Sequence, residues 1–179
     1  MKKINEKELL KTPVFTVVEK EFENVGFKPV GLNCNDWVQI CAIDKLGRTV
    51  IVKQSRWGGE YETTEFPCGT VEEKENPRTA AAREFAEETG IKINEADLSL
   101  FIKFNPNPAY FNNKMYTYIL QVDDLKKLWE NRGKQHLDEN EDCKAKVVKL
   151  KDVRDDLSLQ AIGYIGLSIL ERYFTNEWL

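Results

Sequence analysis

Histidine and paired cysteines are almost absent from this chain of 179 residues. His136 is the only histidine, so a Ser-His or Cys-His catalytic pair would have to use that one residue. The four cysteines are scattered without a C-x-x-C pair, which argues against a zinc site and against a disulfide framework. Any acid–base chemistry must therefore come mainly from carboxylates, lysines or tyrosines.

Long apolar runs are absent as well. The longest apolar stretches, such as residues 14–18, fall far short of the roughly 20 residues that a membrane-spanning helix needs. The basic start at residues 1–3 is not followed by the apolar core of a signal peptide. We therefore expect a cytoplasmic protein that does not insert into membranes.

The charge balance is mildly acidic. A formal net charge of −4 disfavours non-specific binding to nucleic acids. It also means that a polyanionic substrate would need a metal ion to bridge it to an acidic site. No repeat, low-complexity run or flexible linker divides the chain, and its length suits one domain.

The hydrophobic pattern predicts a mixed α/β domain. One helix should be capped by Asn76, carry Pro77 at its first position and stop at Gly90. A second helix is predicted over residues 158–174. Strands are predicted over residues 14–22, 25–32, 37–43, 49–54, 98–104, 115–122 and 145–150, with a short extended segment at 64–67.

Three glutamates share one face of the first predicted helix. Glu84, Glu87 and Glu88 are three and four residues apart, and like charges at this spacing repel by a few tenths of a kcal/mol per pair. A cation among them would remove the repulsion, and hard divalent cations take such oxygen ligands. Arg83 can also pair with Glu87 without any metal. A charged surface helix is therefore the alternative to a metal site.

A longer pattern runs from Gly69 to Ile91. It reads Gly69, five residues, Glu75, seven residues, Arg83-Glu84-Phe85, one residue, Glu87-Glu88, one residue, Gly90-Ile91. This pattern resembles the Nudix box at every defining position. The resemblance implies a Nudix-type α/β/α sandwich with a mixed β-sheet and an N-terminal β extension. It implies a single Nudix hydrolase domain over residues 1–179, with N-terminal strands in 1–35 and the catalytic core in 36–179.

The same resemblance implies which box residues bind metal. Glu84 and Glu88 are expected to bind Mg²⁺, or Mn²⁺ in its place, together with the backbone carbonyl of Cys68. Arg83 and Glu87 are expected to belong to the catalytic set. Metal-bound water is more acidic than free water, and a nearby carboxylate can then take its proton.

The box alone does not identify that base. An acidic segment at residues 137–142 resembles the loop of ADP-ribose-type Nudix pyrophosphatases, in which one glutamate is the base and another binds a metal. By position we assign Glu139 as the base and Glu141 as a metal ligand, with Glu87 as the alternative base. The other interpretation of the segment is a solvated acidic loop.

Two further segments resemble the ADP-ribose and nucleoside diphosphate sugar pyrophosphatase group. Arg56 lies just after the strand predicted over 49–54, and in that group an arginine at this place contacts the substrate phosphate. Glu65 begins the segment that leads into the box. Pro106 lies fifteen residues beyond the box, where a proline is typical of that group. The dinucleoside polyphosphate group carries a tyrosine in this region instead, and Tyr110 lies slightly further along the sequence than that tyrosine. The resemblance further implies a homodimer formed through the N-terminal strands.

The sequence therefore predicts a Mg²⁺-dependent enzyme that hydrolyses the pyrophosphate of a nucleotide sugar, with ADP-ribose as the first candidate. The products would be a nucleoside monophosphate and a sugar phosphate. One alternative keeps the metal site but acts on nucleoside triphosphates or dinucleoside polyphosphates. Another is a Nudix-like module that binds a nucleotide without hydrolysing it, although the intact glutamates and Arg83 argue against it.

Overall fold

The computed structural model describes residues 1–137, 139 and 141–173. An antiparallel sheet of three strands in the order β1-β2-β3 forms the N-terminal part: β1 (Lys3–Lys11), β2 (Phe15–Phe22) and β3 (Val30–Cys34). It joins the rest of the chain where the Leu32 N–H donates to the Tyr110 carbonyl at 2.7 Å. The expected N-terminal β extension within residues 1–35 thus matches the observed strands.

The main sheet has seven strands. They are β4 (Trp37–Asp44), β5 (Arg48–Arg56), β6 (Tyr61–Glu65), β7 (Cys68–Thr70), β8 (Leu98–Phe104), β9 (Met115–Val122) and β10 (Lys144–Lys149). The strand order is β10-β5-β4-β9-β8, with β6 paired to β5 and β7 paired to β4. Strands β4 and β9 run parallel and the other paired strands run antiparallel, so the sheet is mixed as expected.

Helices cover both faces of this sheet. Alternate residues of β4 point to opposite faces. Val38, Ile40 and Ala42 pack in one cluster with Phe85 of the first helix. Cys41 and Ile43 of the same strand belong to a second cluster that includes the last helix. This arrangement is the expected α/β/α sandwich. The helices are α1 (Pro77–Thr89), α2 (Leu125–Glu130), α3 (Arg154–Ser158) and α4 (Ala161–Tyr173).

Helix α1, which carries the three glutamates, begins and ends where its sequence predicts. The Asn76 side chain accepts a hydrogen bond from the Arg78 N–H at 2.9 Å, and Pro77 occupies the first turn. Gly90 ends the helix with a φ of 74°, a left-handed conformation that glycine adopts at little cost. Phe85 is fully buried in the cluster that packs this helix on the sheet.

Four local features differ from the sequence-based expectations. Strand β1 was not predicted, because its charged sequence has no alternating apolar face and every residue in it is exposed. The strand predicted over 25–32 begins only at Val30, because Gly26 and Pro29 extend the turn that starts with Asn24 at φ 63°. The short helix α2 was also missed. The helix predicted over 158–174 begins only at Ala161 as α4, since Ser158 ends the separate short helix α3, and Phe174 lies outside the described residues.

No helix in the described part of the chain combines the length and the apolar character that crossing a membrane requires.

Candidate functional site

The carboxylate of Glu84 lies directly over the backbone of Gly69. A Cβ atom at residue 69 would stand 2.0 Å from Cδ of Glu84, so no residue with a side chain fits there without moving the glutamate. The next residue, Thr70, donates its N–H to Oε1 of Glu84 at 3.1 Å. Strand β7 and helix α1 are therefore fitted to each other at the first glycine of the box.

Arg83 gathers three carboxylates around one guanidinium group. Its Nε and Nη2 bind the two oxygens of Glu75 at 3.0 Å each, and its Nη1 binds Glu84 and Glu87 at 2.9 Å each. Nη2 also donates to the Thr70 carbonyl at 2.9 Å. The predicted pairing of Arg83 with Glu87 is confirmed. The hydrogen bonds from Arg83 lower the pKa of Glu75, which binds this arginine instead of the exposed N–H groups of the helix start.

Glu88 is almost completely buried. Only 4% of the residue is exposed, and its Oε2 accepts a hydrogen bond from the Cys68 N–H at 3.0 Å. Burial, assisted by repulsion from Glu84, Glu141 and Glu65, raises the pKa of Glu88 well above its ordinary value. Burial also raises the pKa of Glu84 despite the adjacent Arg83. Both carboxylates are thus in surroundings that disfavour their negative charge and would favour a cation.

The segment before the acidic loop is fastened to the C-terminal end of α1. The His136 N–H donates to the Glu87 carbonyl at 2.9 Å, and the Gly133 N–H donates to the Gly90 carbonyl at 2.8 Å. The Gln135 side chain donates to the carbonyl of Glu88. These contacts satisfy backbone carbonyls that a helix end otherwise leaves without partners.

The far end of the acidic loop is fastened to strand β5. Asp142 accepts hydrogen bonds from the Ser55 N–H at 2.9 Å and from its hydroxyl at 2.6 Å. Between the two anchors, Glu141 lies close enough to raise the pKa values of Glu84 and Glu88 by repulsion. Glu139 is an exposed turn residue, while Asp138 and Asn140 of the predicted acidic segment lie outside the described residues. The fold thus brings Glu141 to the box.

Arg56 is held by a carboxylate from the neighbouring strand. Its Nε and Nη2 bind the two oxygens of Glu65 at 2.7 and 2.5 Å, and Thr63 donates its hydroxyl to the same carboxylate. Burial opposes the charge of Glu65, but the contacts with Arg56 outweigh it and lower the pKa of that carboxyl. Nη2 of Arg56 also lies 3.7 Å from Sγ of Cys68. The arginine side chain, 45% exposed, is therefore fixed in orientation and still open to solvent.

Pro106 lies half-buried in the connection between β8 and β9. The preceding Asn105 holds this connection closed by donating to the Asn113 carbonyl at 3.1 Å and accepting from Lys114 at 2.6 Å. The same connection contacts the N-terminal sheet through Tyr110. A rigid turn accounts for the proline, and its contact with substrate stays a prediction.

A model of the NUDIX domain matches residues 37–165, which is more than two thirds of the chain and includes the whole helix with its carboxylates. The chain belongs to the Nudix family of pyrophosphohydrolases.

Two curated proteins and one solved structure resemble this Nudix chain. It is 28% identical over 139 residues to the methanol dehydrogenase activator of Bacillus methanolicus, which covers 73% of this chain and 71% of that one. It is 27% identical over an alignment of 184 residues to the ADP-ribose pyrophosphatase of Bacillus subtilis (strain 168), covering 93% and 96% of the two chains. The crystal structure of an ADP compounds hydrolase superposes with a TM-score of 0.73 over 99% of this chain and 96% of that one; at 23% identity, this shows the shared fold.

Nudix hydrolases generally use divalent metal cations. Among residues 1–137, 139 and 141–173, no three His, Cys, Asp or Glu side chains are arranged to hold a metal ion as they stand. The donor chemistry nevertheless fits one, because Glu84 and Glu88 offer hard oxygen ligands whose charge is destabilised by burial and by the approach of Glu141. A cation would relieve that repulsion.

Three contacts of this Nudix site were not predicted. The Asp142–Ser55 contact joins residues 87 positions apart, and the Gln135–Glu88 contact joins residues 47 positions apart. Cys143 is buried, and its burial together with the nearby Glu88 carboxylate raises the pKa of its thiol. Each of these residues is next to a segment that the sequence singled out, but no local pattern indicates a partner so far along the chain.

Proposed function

We propose that this protein hydrolyses the pyrophosphate of a nucleotide sugar in a Mg²⁺-dependent reaction, with ADP-ribose as the first substrate to test. The products are a nucleoside monophosphate and a sugar phosphate. The observation that carries the proposal is the convergence of the buried Glu88 and the partly buried Glu84 with a half-exposed and pre-oriented Arg56. The similarity to an ADP-ribose pyrophosphatase over nearly the whole chain favours the same substrate class.

The metal would be held by carboxylates from two segments. Glu84 and Glu88 of α1, the Cys68 carbonyl of β7 and Glu141 of the acidic loop are the proposed ligands, and Mn²⁺ is the other candidate ion. A metal ion held by these residues would supply positive charge for phosphate oxygens and would make a bound water more acidic. Arg83 keeps Glu84 and Glu87 in place through its two hydrogen bonds from Nη1.

The remaining residues act on the substrate and on the attacking water. Arg56 binds a phosphate through its planar group of donors, and Glu65 fixes the direction of that group. Glu139 takes the proton from the attacking water as general base. Pro106 contributes a rigid turn beside the substrate. Glu87 is the base in the alternative mechanism.

We propose that the protein is cytoplasmic and that it forms a homodimer through the N-terminal sheet. Several large apolar side chains of this sheet and its turns are exposed, and a second copy would cover them. Light scattering after gel filtration tests this, and a monomeric mass at micromolar concentration would contradict it. The exposed side chains are Ile4, Leu9, Leu10, Val14, Phe27 and Val30.

A phosphate-release screen tests the activity. Nucleotide sugars, dinucleoside polyphosphates and nucleoside triphosphates are incubated with the protein, with and without Mg²⁺, and then with an added phosphatase. ADP-ribose should release inorganic phosphate only after the phosphatase acts on the monoester products. Glu88→Gln is the matched inactive control, since it keeps the shape of the side chain. Turnover confined to triphosphates or dinucleoside polyphosphates would overturn the assigned substrate.

A further inference from the structure

The turn between β5 and β6 presents two aromatic side chains beside Arg56. The Gly59 and Glu60 N–H groups both donate to the Arg56 carbonyl, at 2.8 and 2.9 Å, which makes the turn tight. Trp57 is 76% exposed and Tyr61 is 59% exposed. Two large aromatic groups left in solvent at one turn have no role in the core of the protein.

The ring of Tyr61 is held against the turn. A Cβ atom at residue 59 would stand 2.5 Å from Cε1 of Tyr61, so the ring packs on the backbone of Gly59 and needs a glycine there. Glu60 has a φ of 62°, an unfavourable value for a residue with a side chain. The turn is therefore tight, and it holds the Tyr61 ring on its backbone at Gly59.

The two aromatic residues line an open cleft of about 460 Å³, which is within the size range of small-molecule sites. We call it the turn cleft. Arg56 lines it together with the two aromatic residues. Glu60 and Glu62 also line it, and their carboxylates accept hydrogen bonds but repel phosphate. The turn cleft thus offers flat apolar faces and hydrogen-bond acceptors, with a cation for phosphate at Arg56.

The turn cleft adjoins the metal-binding side of the site. Arg56 Nη2 lies 3.7 Å from the Cys68 thiol, and the Cys68 N–H binds Glu88 at 3.0 Å. A nucleotide whose phosphate binds Arg56 can therefore extend its base away from the box and into the turn cleft. Heteroaromatic bases stack on aromatic side chains, and their amino groups donate to carboxylates.

We propose that Trp57 and Tyr61 form a subsite that binds the nucleobase of the substrate by stacking, next to the phosphate held by Arg56. This inference rests on the proposed function, because it takes the substrate to be a nucleotide. It assigns the recognition of the base to the β5–β6 turn of the same chain. It also predicts that a base with an amino group is preferred, because Glu60 and Glu62 supply only acceptors.

Binding of AMP, measured by calorimetry, tests the subsite without requiring turnover. Trp57→Leu and Tyr61→Leu should each weaken AMP binding by roughly 5- to 150-fold, the range for the loss of one base-stacking contact. Trp57→Phe keeps an aromatic ring and should lose much less. Tyr164→Leu is the matched control, since Tyr164 is an exposed aromatic residue of α4 outside the turn cleft. Its AMP affinity should equal that of the wild type.

Fluorescence and product specificity give two further tests. AMP should quench the tryptophan emission of the wild type, and Trp57→Phe should abolish the quenching although three other tryptophans remain of the four. Quenching by ribose 5-phosphate but not by AMP would overturn the proposal in favour of a sugar subsite. In turnover, Trp57→Leu should raise KM and leave kcat within about twofold, because stacking is the same in the ground and transition states.

The failure of the subsite can be told apart from the failure of the proposed function. A wild-type protein that hydrolyses nucleotide sugars while both leucine variants bind AMP normally would refute the subsite alone. A wild-type protein that hydrolyses no nucleotide sugar would refute the proposed function. AMP binding that depends on Trp57 and Tyr61 would then still support a base subsite.

Discussion

Arg83 and Arg56 both bind carboxylates in the candidate site, but they use their guanidinium groups differently. Arg83 binds Glu75, Glu84 and Glu87 and the Thr70 carbonyl, and its side chain is 27% exposed. Arg56 uses Nε and Nη2 on Glu65, and its side chain is 45% exposed. Among the described residues, none accepts a hydrogen bond from Nη1 of Arg56.

The comparison separates two roles for one residue type. A guanidinium whose nitrogens are all bound by protein groups holds those groups in position. One that is bound on one side and open to solvent on the other can bind a ligand. Arg83 is therefore expected to act by positioning the box glutamates, and Arg56 by contacting phosphate. We call Arg83 with its three carboxylates the Arg83 cluster, and Arg56 with Glu65 the Arg56 cluster. Glu88 lies between the two clusters and is repelled by Glu84 of the first and Glu65 of the second.

The acidic loop is anchored near both clusters, at α1 and at Ser55, and the largest effect is expected there. Glu139→Gln should lower kcat by roughly 10²- to 10⁴-fold, the usual loss on removing a general base. KM and the Mg²⁺ requirement should change little, because a base acts mainly in the transition state. Steady-state kinetics over pH checks this, and the acidic limb of the profile should shift or disappear.

Glu141→Gln is the matched variant in the same loop. Its defect should shrink as the Mg²⁺ concentration rises, because Glu141 is a proposed ligand and not the base. An active Glu139→Gln protein, combined with an inactive Glu87→Gln protein that binds metal normally, would place the base in helix α1 instead.

The residue between the two arginine clusters is expected to have the next largest effect. Glu88→Gln keeps the acceptor for the Cys68 N–H but removes the charge, so turnover should fall by about 10²-fold or more. Mg²⁺ binding, measured by calorimetry, should weaken at the same time, and circular dichroism should show the fold intact. An unchanged kcat at saturating Mg²⁺ would refute the role of Glu88 as a metal ligand.

Breaking the Arg83 cluster should affect stability as well as activity. Arg83→Ala leaves Glu75, Glu84 and Glu87 to repel one another, and we expect a loss of about 2 kcal/mol, reduced from the buried-pair range because the group is partly exposed. Thermal denaturation should show a Tm lower by about 6 °C. Mg²⁺ should restore part of the loss by replacing the missing positive charge.

Lys92→Ala provides the control for Arg83, because Lys92 is an exposed cationic residue just beyond the same helix. Its Tm should stay close to that of the wild type. Equal losses of Tm in the two variants would show that the cluster around Arg83 contributes nothing particular to stability.

Variants of Arg56 and Glu65 should lose activity mainly, with a smaller effect on stability. Arg56→Lys keeps the charge but loses the two-pronged contact, so kcat/KM should fall by about tenfold while Tm changes little. Glu65→Gln should cause a similar loss, because its carboxylate orients the arginine. The double variant should be no worse than either single one, which a double-mutant cycle measures. Additive losses would mean that the two residues act independently.

The smallest expected effect is on the pH dependence of stability. Burial raises the pKa of Glu88 above its ordinary value near 4.5. The contribution of Glu88 to the free energy of unfolding is therefore present below about pH 4.5 and is lost as the pH rises through the raised pKa. The lowered pKa of Glu65 has the opposite sign: its contribution is present above about 4.5 and is lost as pH falls through the lowered value.

When metal is removed with a chelator, the Tm values of two variants should therefore differ from the wild-type Tm in opposite directions. Glu88→Gln should raise Tm at about pH 7.5 and lose this advantage toward about pH 5. Glu65→Gln should lower Tm at about pH 7.5, and the deficit should shrink in acid. Parallel shifts of the two variants would contradict the different surroundings assigned to the two carboxylates.

The predicted elements agree best where the local signal was strong. Strands β8 and β9 begin and end at the predicted residues, and α1 begins and ends at its predicted cap and stop. Strand β1 has no such signal, because its pairing with β2 and not its own pattern makes it a strand. Helix α2 is only six residues long, and so short an element leaves little periodicity to detect.

The box pattern identified the family by its resemblance, and the resemblance made Glu84 and Glu88 candidates for metal binding. The pairing of Arg83 with Glu87 follows from helix spacing, which puts the two side chains on one face. The sequence also singled out Arg56, Glu65 and the acidic loop. It contained no information on how these segments, many residues apart, approach one another.

The tertiary structure alone decided those approaches. Packing of β5 beside β6 brings Glu65 to Arg56, and the last turn of the acidic loop brings Asp142 to Ser55. Burial of Glu88 between sheet and helix raises its pKa, although Glu87, its neighbour in sequence, is partly exposed. Residue identity and spacing determined which groups are present on α1. The free energy of each group depends on its distance from other charges and from water, which only the folded chain sets.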